Sequence, residues 1–217
     1  MNTRYILPLL LLTPLLFGQQ AAKSSKDPLE LVTQGQEHFL AMKPREAVAA
    51  FDQAIALAPQ IKPRLWQRGL ALYYCGEYQK AREQFETHQT HNTNDVENAA
   101  WHYICVARAT DAATARKQLI PIQGDSRVPM REIQDLFAGT GTTSAVLTAA
   151  KEGAATEVRN QLCYAHLYLG LYHEAHGDAD RAKHHILKAA CDYTMDHYMG
   201  RCAQVHAFLR GWEPKEP

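Results

Sequence analysis

Along "RGLALYYCGEYQKAREQFE", residues 68 to 86, apolar and polar positions recur at helical spacing on both sides of one glycine, Gly76. That pattern predicts a helix, a tight turn and a second helix, since a helix that ends in a left-handed residue favours glycine there. Upstream, "QGQEHFLAMKPREAVAAFDQAIALAP" has the same skeleton. In register, Gly35 aligns with Gly69, Ala47 with Ala81 and Phe51 with Phe85, each pair 34 residues apart. Small residues at such points let two helices approach closely, and a larger side chain would force them apart. Pro44 suits the first turn of a helix, and Pro59 and Pro63 punctuate the boundary between the copies.

A third hairpin is predicted in "YAHLYLGLYHEAHGDADRAKHHILKAACDY", where Gly170, Ala182, Ile186 and Ala189 take the equivalent places and Asp178 is the expected helix cap. Gly69 and Gly170 are 101 residues apart, one short of three periods, so about two further units lie between. Residues 95 to 120 read as one degenerate unit, with Thr110 or Asp111 as a cap between its halves. Residues 129 to 152 read as a pair of short helices, and "TMDHYMGRCAQVHAFL" reads as an amphipathic closing helix. No alternating strand pattern is present. The expected fold is all-α, one right-handed superhelical stack of helix hairpins over residues 31 to 212, closed by a C-terminal helix.

The 34-residue period and the pairs "Gln34-Gly35…Ala47-x-x-x-Phe51…Pro59" and "Arg68-Gly69…Tyr73…Ala81-x-x-x-Phe85" resemble the tetratricopeptide repeat. The order of units, with "RGLALYYCGEYQKA", "AWHYI" and "YLGLYHEAHGDADRAKHHILKA", is similar to the NlpI-type envelope lipoproteins. That resemblance implies a non-catalytic adaptor at the bacterial cell envelope, binding a peptidoglycan hydrolase or a processing protease. The chain lacks that family's lipid-acceptor cysteine, so a lipid anchor is not carried over.

The first residues bear on where such an adaptor works. "MNTRYILPLLLLTPLLFGQQAA" has one basic residue, Arg4, then an uncharged run of 13 residues from Tyr5 to Phe17 and the small residues Ala21 and Ala22. This has the form of an export signal over residues 1 to 22, followed by a short linker over 23 to 30, with a tail at 213 to 217. The run is shorter than the roughly 20 residues a bilayer requires. A periplasmic or envelope location follows, with membrane attachment only if the segment stays uncleaved. The 23 basic and 23 acidic residues balance, which argues against an electrostatic hold on nucleic acid.

In such a stack the first helices line a concave surface. Helical spacing puts Val32, Gln36 and Phe39 there, then Trp66, Leu70, Tyr73 and Tyr74, then Leu167, Leu171 and Glu174. Such a groove is aromatic and nearly uncharged, suited to a protein or peptide partner or to a second copy of the chain. The alternative is that these positions pack against the neighbouring repeat or the terminal helix.

Other candidate chemistry is weaker. Six histidines fall between His166 and His197, and His173 and His176 are one turn apart, a geometry metals use. No carboxylate completes a set, so no metal or cofactor is expected, and a ligand- or metal-binding role for this His-rich repeat is the alternative function. "AGTGTTS" lacks the Gly-Lys-Ser/Thr ending of a phosphate loop and reads as a helix end followed by a cap. No G-x-S-x-G or H-E-x-x-H is present, and catalysis is not expected. The five cysteines have no C-x-x-C spacing and read as buried small residues, although the hairpin arrangement places Cys163 near Cys191 and Cys75 near Cys105.

Overall fold

The computed structural model describes residues 27 to 212, so the predicted export signal, most of the linker and the tail lie outside the described residues. All regular structure within them is helical and packs in sequential pairs. Helices α1 (Pro28–Leu40) and α2 (Pro44–Leu57) form the first hairpin, and α3 (Trp66–Tyr74) and α4 (Tyr78–Gln89) the second. They are joined by a 3₁₀ stretch, Pro59–Arg64, where the two prolines fall. Next come α5 (Val96–Ala109), α6 (Ala112–Lys117), α7 (Met130–Ala138) and α8 (Thr143–Ala149). The third hairpin is α9 (Ala155–Ala175) with α10 (Ala179–Leu187), and a π turn at Lys188–Asp192 leads to α11 (Tyr198–Leu209).

The repeat is visible at one kind of contact. A Cβ built on Gly35 would lie 2.7 Å from the Phe51 ring, one on Gly69 2.6 Å from the Phe85 ring, and one on Gly170 2.6 Å from Ile186. In each hairpin the glycine of the first helix therefore receives the large side chain found 16 positions later in the second. Phe51, Phe85 and Ile186 are essentially fully buried there. Burial of this kind stabilises by about 1.5–3 kcal/mol per side chain.

Local chemistry explains most boundaries. The Asp111 side chain caps α6 through the Thr114 N–H, and Asp178 caps α10 through the Arg181 N–H. The "AGTGTTS" segment is a left-handed Gly139 closing α7, followed by Thr142 capping α8. The predicted linker is shorter than expected, because Asp27 accepts the Leu29 N–H at 2.9 Å and Pro28 fixes the first turn, so α1 starts before residue 31.

Two helices are central. Every residue of α5 from Val96 to Ala107 except Glu97 is buried, as is nearly all of α9 from Leu162 to His173. A helix buried on all sides needs neighbours on all sides. For α5 these include α4, α6, α7 and α9. Helix α11 departs from the expectation of a simple end cap: it packs on α9 and α10 and also reaches α1. All five cysteines are unpaired, with Cys105, Cys163 and Cys202 buried, Cys75 partly exposed and Cys191 exposed. Cys163 Sγ donates to the Ala189 carbonyl at 3.7 Å rather than pairing with Cys191.

Candidate functional site

The first-helix positions do converge, but on a surface that the chain fills itself. Tyr198, Cys202, His206 and Arg210 recur every fourth residue and form one stripe along α11 and its C-cap. The Tyr198 ring stacks on Phe39 at 5.9 Å and meets Trp66 edge-on at 5.1 Å. His206 Nδ1 is 2.9 Å from the Tyr74 hydroxyl, and Cys202 Sγ is 4.0 Å from the same oxygen. The Arg210 guanidinium lies over the Tyr73 and Tyr74 rings at 5.8 and 5.7 Å.

Glu174, on α9, gathers these helices. One carboxylate oxygen accepts from Arg210 Nε at 2.5 Å, and the other accepts from the Tyr73 hydroxyl at 3.0 Å. His206 Nε2 stands 3.5 Å from the carboxylate and Arg108 3.8 Å. Burial alone would raise the Glu174 pKa, but His206, Arg210 and the Tyr73 hydroxyl together hold it below the usual carboxylate value. Burial pushes His206 down to about 4, against the pull of Glu174, so its ring is neutral near pH 7.

The concave groove therefore needs correcting as an open partner site. Phe39, Leu70, Tyr73, Leu167 and Leu171 are at most 1% exposed, and Glu174 only 9% at its side chain. Val32, Trp66 and Tyr74 are partly buried and pack against the core, and Gln36 is partly buried. The physical reason is that α11 carries an aromatic and polar stripe complementary to this surface. Nearby, Arg108 donates to the Tyr78 hydroxyl at 2.9 Å, while Arg68 pairs with Asp52 at 2.7 Å.

Part of the surface stays open beside the start of α11. There a cavity of about 120 Å³ is walled by Trp66 of α3, Phe85 of α4, Trp101 of α5 and Met199 of α11. His88, Asn98 and His197 add polar groups, and Asp95 and Glu97 form an acidic edge. That edge is already engaged. Arg127, from the segment between α6 and α7, pairs with Asp95 at 2.6 Å and with Glu97, and Tyr168 donates to Glu97 at 2.7 Å. Burial nonetheless raises Glu97 to about 6, outweighing Arg127 and Tyr168. Of the predicted site residues only Trp66 lines this cavity. Asn98, His88 and His197 were not anticipated, because their meeting depends on three separate helices.

The His-rich end does not gather as the one-turn spacing suggested. His173 Nδ1 is 4.0 Å from Asp178, whereas His176 packs on Tyr172 at 4.1 Å. His166 and His185 instead share a 2.8 Å contact between their Nδ1 atoms. Burial depresses both, His166 to about 4 and His185 to about 3, so the bridge joins two neutral rings. Among the described residues no group of three or more His, Cys, Asp or Glu side chains is placed to hold a metal ion. No helix among them is long and apolar enough to cross a membrane. Compared with family models and with curated proteins, the chain matches none.

Proposed function

We propose that the chain is a non-catalytic protein-binding adaptor of the bacterial cell envelope, built as a right-handed stack of tetratricopeptide-type hairpins. The observation that carries this reading is the threefold recurrence of a helix-one glycine seated against a large side chain 16 positions later. A hairpin this short cannot bury its apolar face alone, so repetition makes each copy the cover for the next and leaves an extended surface as the product. The leader sequence supports an exported location, and the resemblance to NlpI-type lipoproteins supports a cell-wall hydrolase or protease as partner. With α11 seated on the inner surface, the partner engages the mouth around Trp66.

Affinity capture from envelope extract, with wild type beside Trp66→Ala, tests the reading. Recovery of wall hydrolases or proteases by wild type and their loss in the variant supports the adaptor. No specific partner for a folded wild-type chain overturns it.

A further inference from the structure

Helix α11 covers Phe39, Trp66, Tyr73 and Tyr74, and its fit on them is incomplete. Its stripe meets Phe39 and Trp66 through the Tyr198 ring and Tyr74 through the His206 ring, and the Arg210 guanidinium lies over Tyr73 and Tyr74. Arg210 Nε also donates to Glu174 at 2.5 Å. These contacts define what the surface accepts: a helix with an aromatic residue at one end and an arginine about three turns further on.

Three atoms of the same stripe add nothing to the seat. The Tyr198 hydroxyl, His206 Nε2 and Arg210 Nη2 are buried and have no hydrogen-bond partner, half of the six such side-chain atoms among the described residues. His206 Nε2 comes no nearer than 3.5 Å to Glu174. The other three belong to Asn98, Trp101 and His102 of α5, and none belongs to α9, which supplies Glu174. Each stranded atom gives up water without a replacement, so it weakens the closed position against an open one in which water returns. A helix with phenylalanine at the place of Tyr198 keeps the contacts with Phe39 and Trp66 and drops the stranded hydroxyl.

The connection suits an exchange. Arg159 of α9 pins Thr194 through its carbonyl at 3.0 Å and its hydroxyl at 2.9 Å, and α11 begins at Tyr198. Residues 195 to 197 between them are not helical, and Asp196 and His197 are exposed. A swing about this stretch moves α11 alone and leaves α9 and α10 in place. The start of α11 also borders the open cavity beside Trp66, so a competing helix meets that end first.

We infer that α11 is a displaceable cover, and that the surface beneath it receives a partner helix with phenylalanine at the place of Tyr198 and arginine twelve residues further on. The inference rests on the adaptor reading and supplies the form of the partner segment.

The test uses the full chain, in the form cells accumulate, and a fluorescent peptide of residues 196 to 212 as the probe. Hydrogen exchange of the chain alone should show α11 at least ~10-fold less protected than α9, because it opens without global unfolding. Anisotropy should show saturable binding of the peptide, and about 5-fold tighter binding of its Tyr198→Phe form, which has no hydroxyl to strand. Arg210→Ala should act with opposite sign on the two molecules. In the peptide it weakens binding about 10-fold through the lost carboxylate contact; in the chain it loosens the cover and tightens binding of the unaltered peptide by a similar factor. Tyr198→Ala in the chain loosens the other end of the cover and replaces Arg210→Ala if that variant does not fold. Equal protection of α11 and α9, or no peptide binding to a loosened chain, would make α11 a fixed part of the core and overturn the inference. A scrambled peptide that binds as well as the true one would overturn it in favour of unspecific apolar contact. Capture of a wall hydrolase or protease by wild type, with no gain in the loosened chain, would leave the adaptor standing and remove the displaceable cover. Peptide exchange without any such capture would do the reverse.

Discussion

The two ends of the surface that α11 packs on are built from the same kind of side chain and behave differently. Under the C-terminal half of α11, Tyr73, Tyr74, His206, Arg108 and Arg210 surround one carboxylate, Glu174. At the mouth, Trp66 and Trp101 stand beside Asn98, His88 and His197 around an open cavity. The difference teaches that the aromatic composition of a groove does not decide whether it binds a partner or the chain's own terminus. The covered end is a latch tied by Glu174, and the mouth is the part that stays open.

Removing the centre of the latch should have the largest effect. Glu174→Gln leaves Arg210 and the neighbouring histidine and tyrosine without their shared carboxylate, and an orphaned buried charge costs about 3–5 kcal/mol. Urea unfolding would read this as a lower midpoint, and a loss near zero would mean that α11 is not held by this network.

Acid should then separate the two ends by sign. His206 titrates near 6.5 unfolded and about 4 folded, so the unfolded chain binds more protons between those values. Its contribution is complete above that window and is lost as pH falls through it, by about 2 kcal/mol near pH 5. His166 adds in the same direction. Glu97 does the opposite: its folded value of about 6 exceeds the ordinary 4.5, so its contribution is present at low pH and lost as pH rises between them. Unfolding midpoints against pH should therefore depend less steeply on acid in His206→Gln and more steeply in Glu97→Gln.

Gly69→Ala places a methyl against the Phe85 ring, which also walls the cavity. It should cost about 1–3 kcal/mol, towards the lower figure because a side chain rather than backbone must yield. The Trp101 indole resonance should move with it, while the His206 ring resonances stay. Trp66→Ala loses the edge contact with Tyr198, worth about 1 kcal/mol beyond the burial of the ring itself, and it should abolish partner capture. A stable Trp66→Ala chain that still captures its partner would erase the distinction between latch and mouth.

Much of the fold was legible because its determinants are local. Helical spacing, Pro44 at a helix start, Asp111 and Asp178 as caps, and Gly76 and Gly177 at left-handed turns each act within a few residues. The glycine and its large partner, 16 positions apart, announce a hairpin for the same reason. The site was less legible. Phe39, Tyr73 and Leu171 are buried, and the face of α11 that covers part of this surface is specified by His206 and Arg210, whose meaning depends on Tyr74 and Glu174 far away in the chain. Arg127 reaching Asp95 and Glu97 is equally non-local.

By itself the sequence determined an all-helical chain of repeated hairpins and most of the helix boundaries, since periodicity and capping act over one or two turns. Only the tertiary structure decided that α11 packs back against α1 and α9, that Glu174 ties it there, and that Trp66, Phe85 and Trp101 meet around a cavity beside its start. Those outcomes depend on distances between residues up to 132 positions apart, such as Tyr74 and His206, which no local pattern encodes.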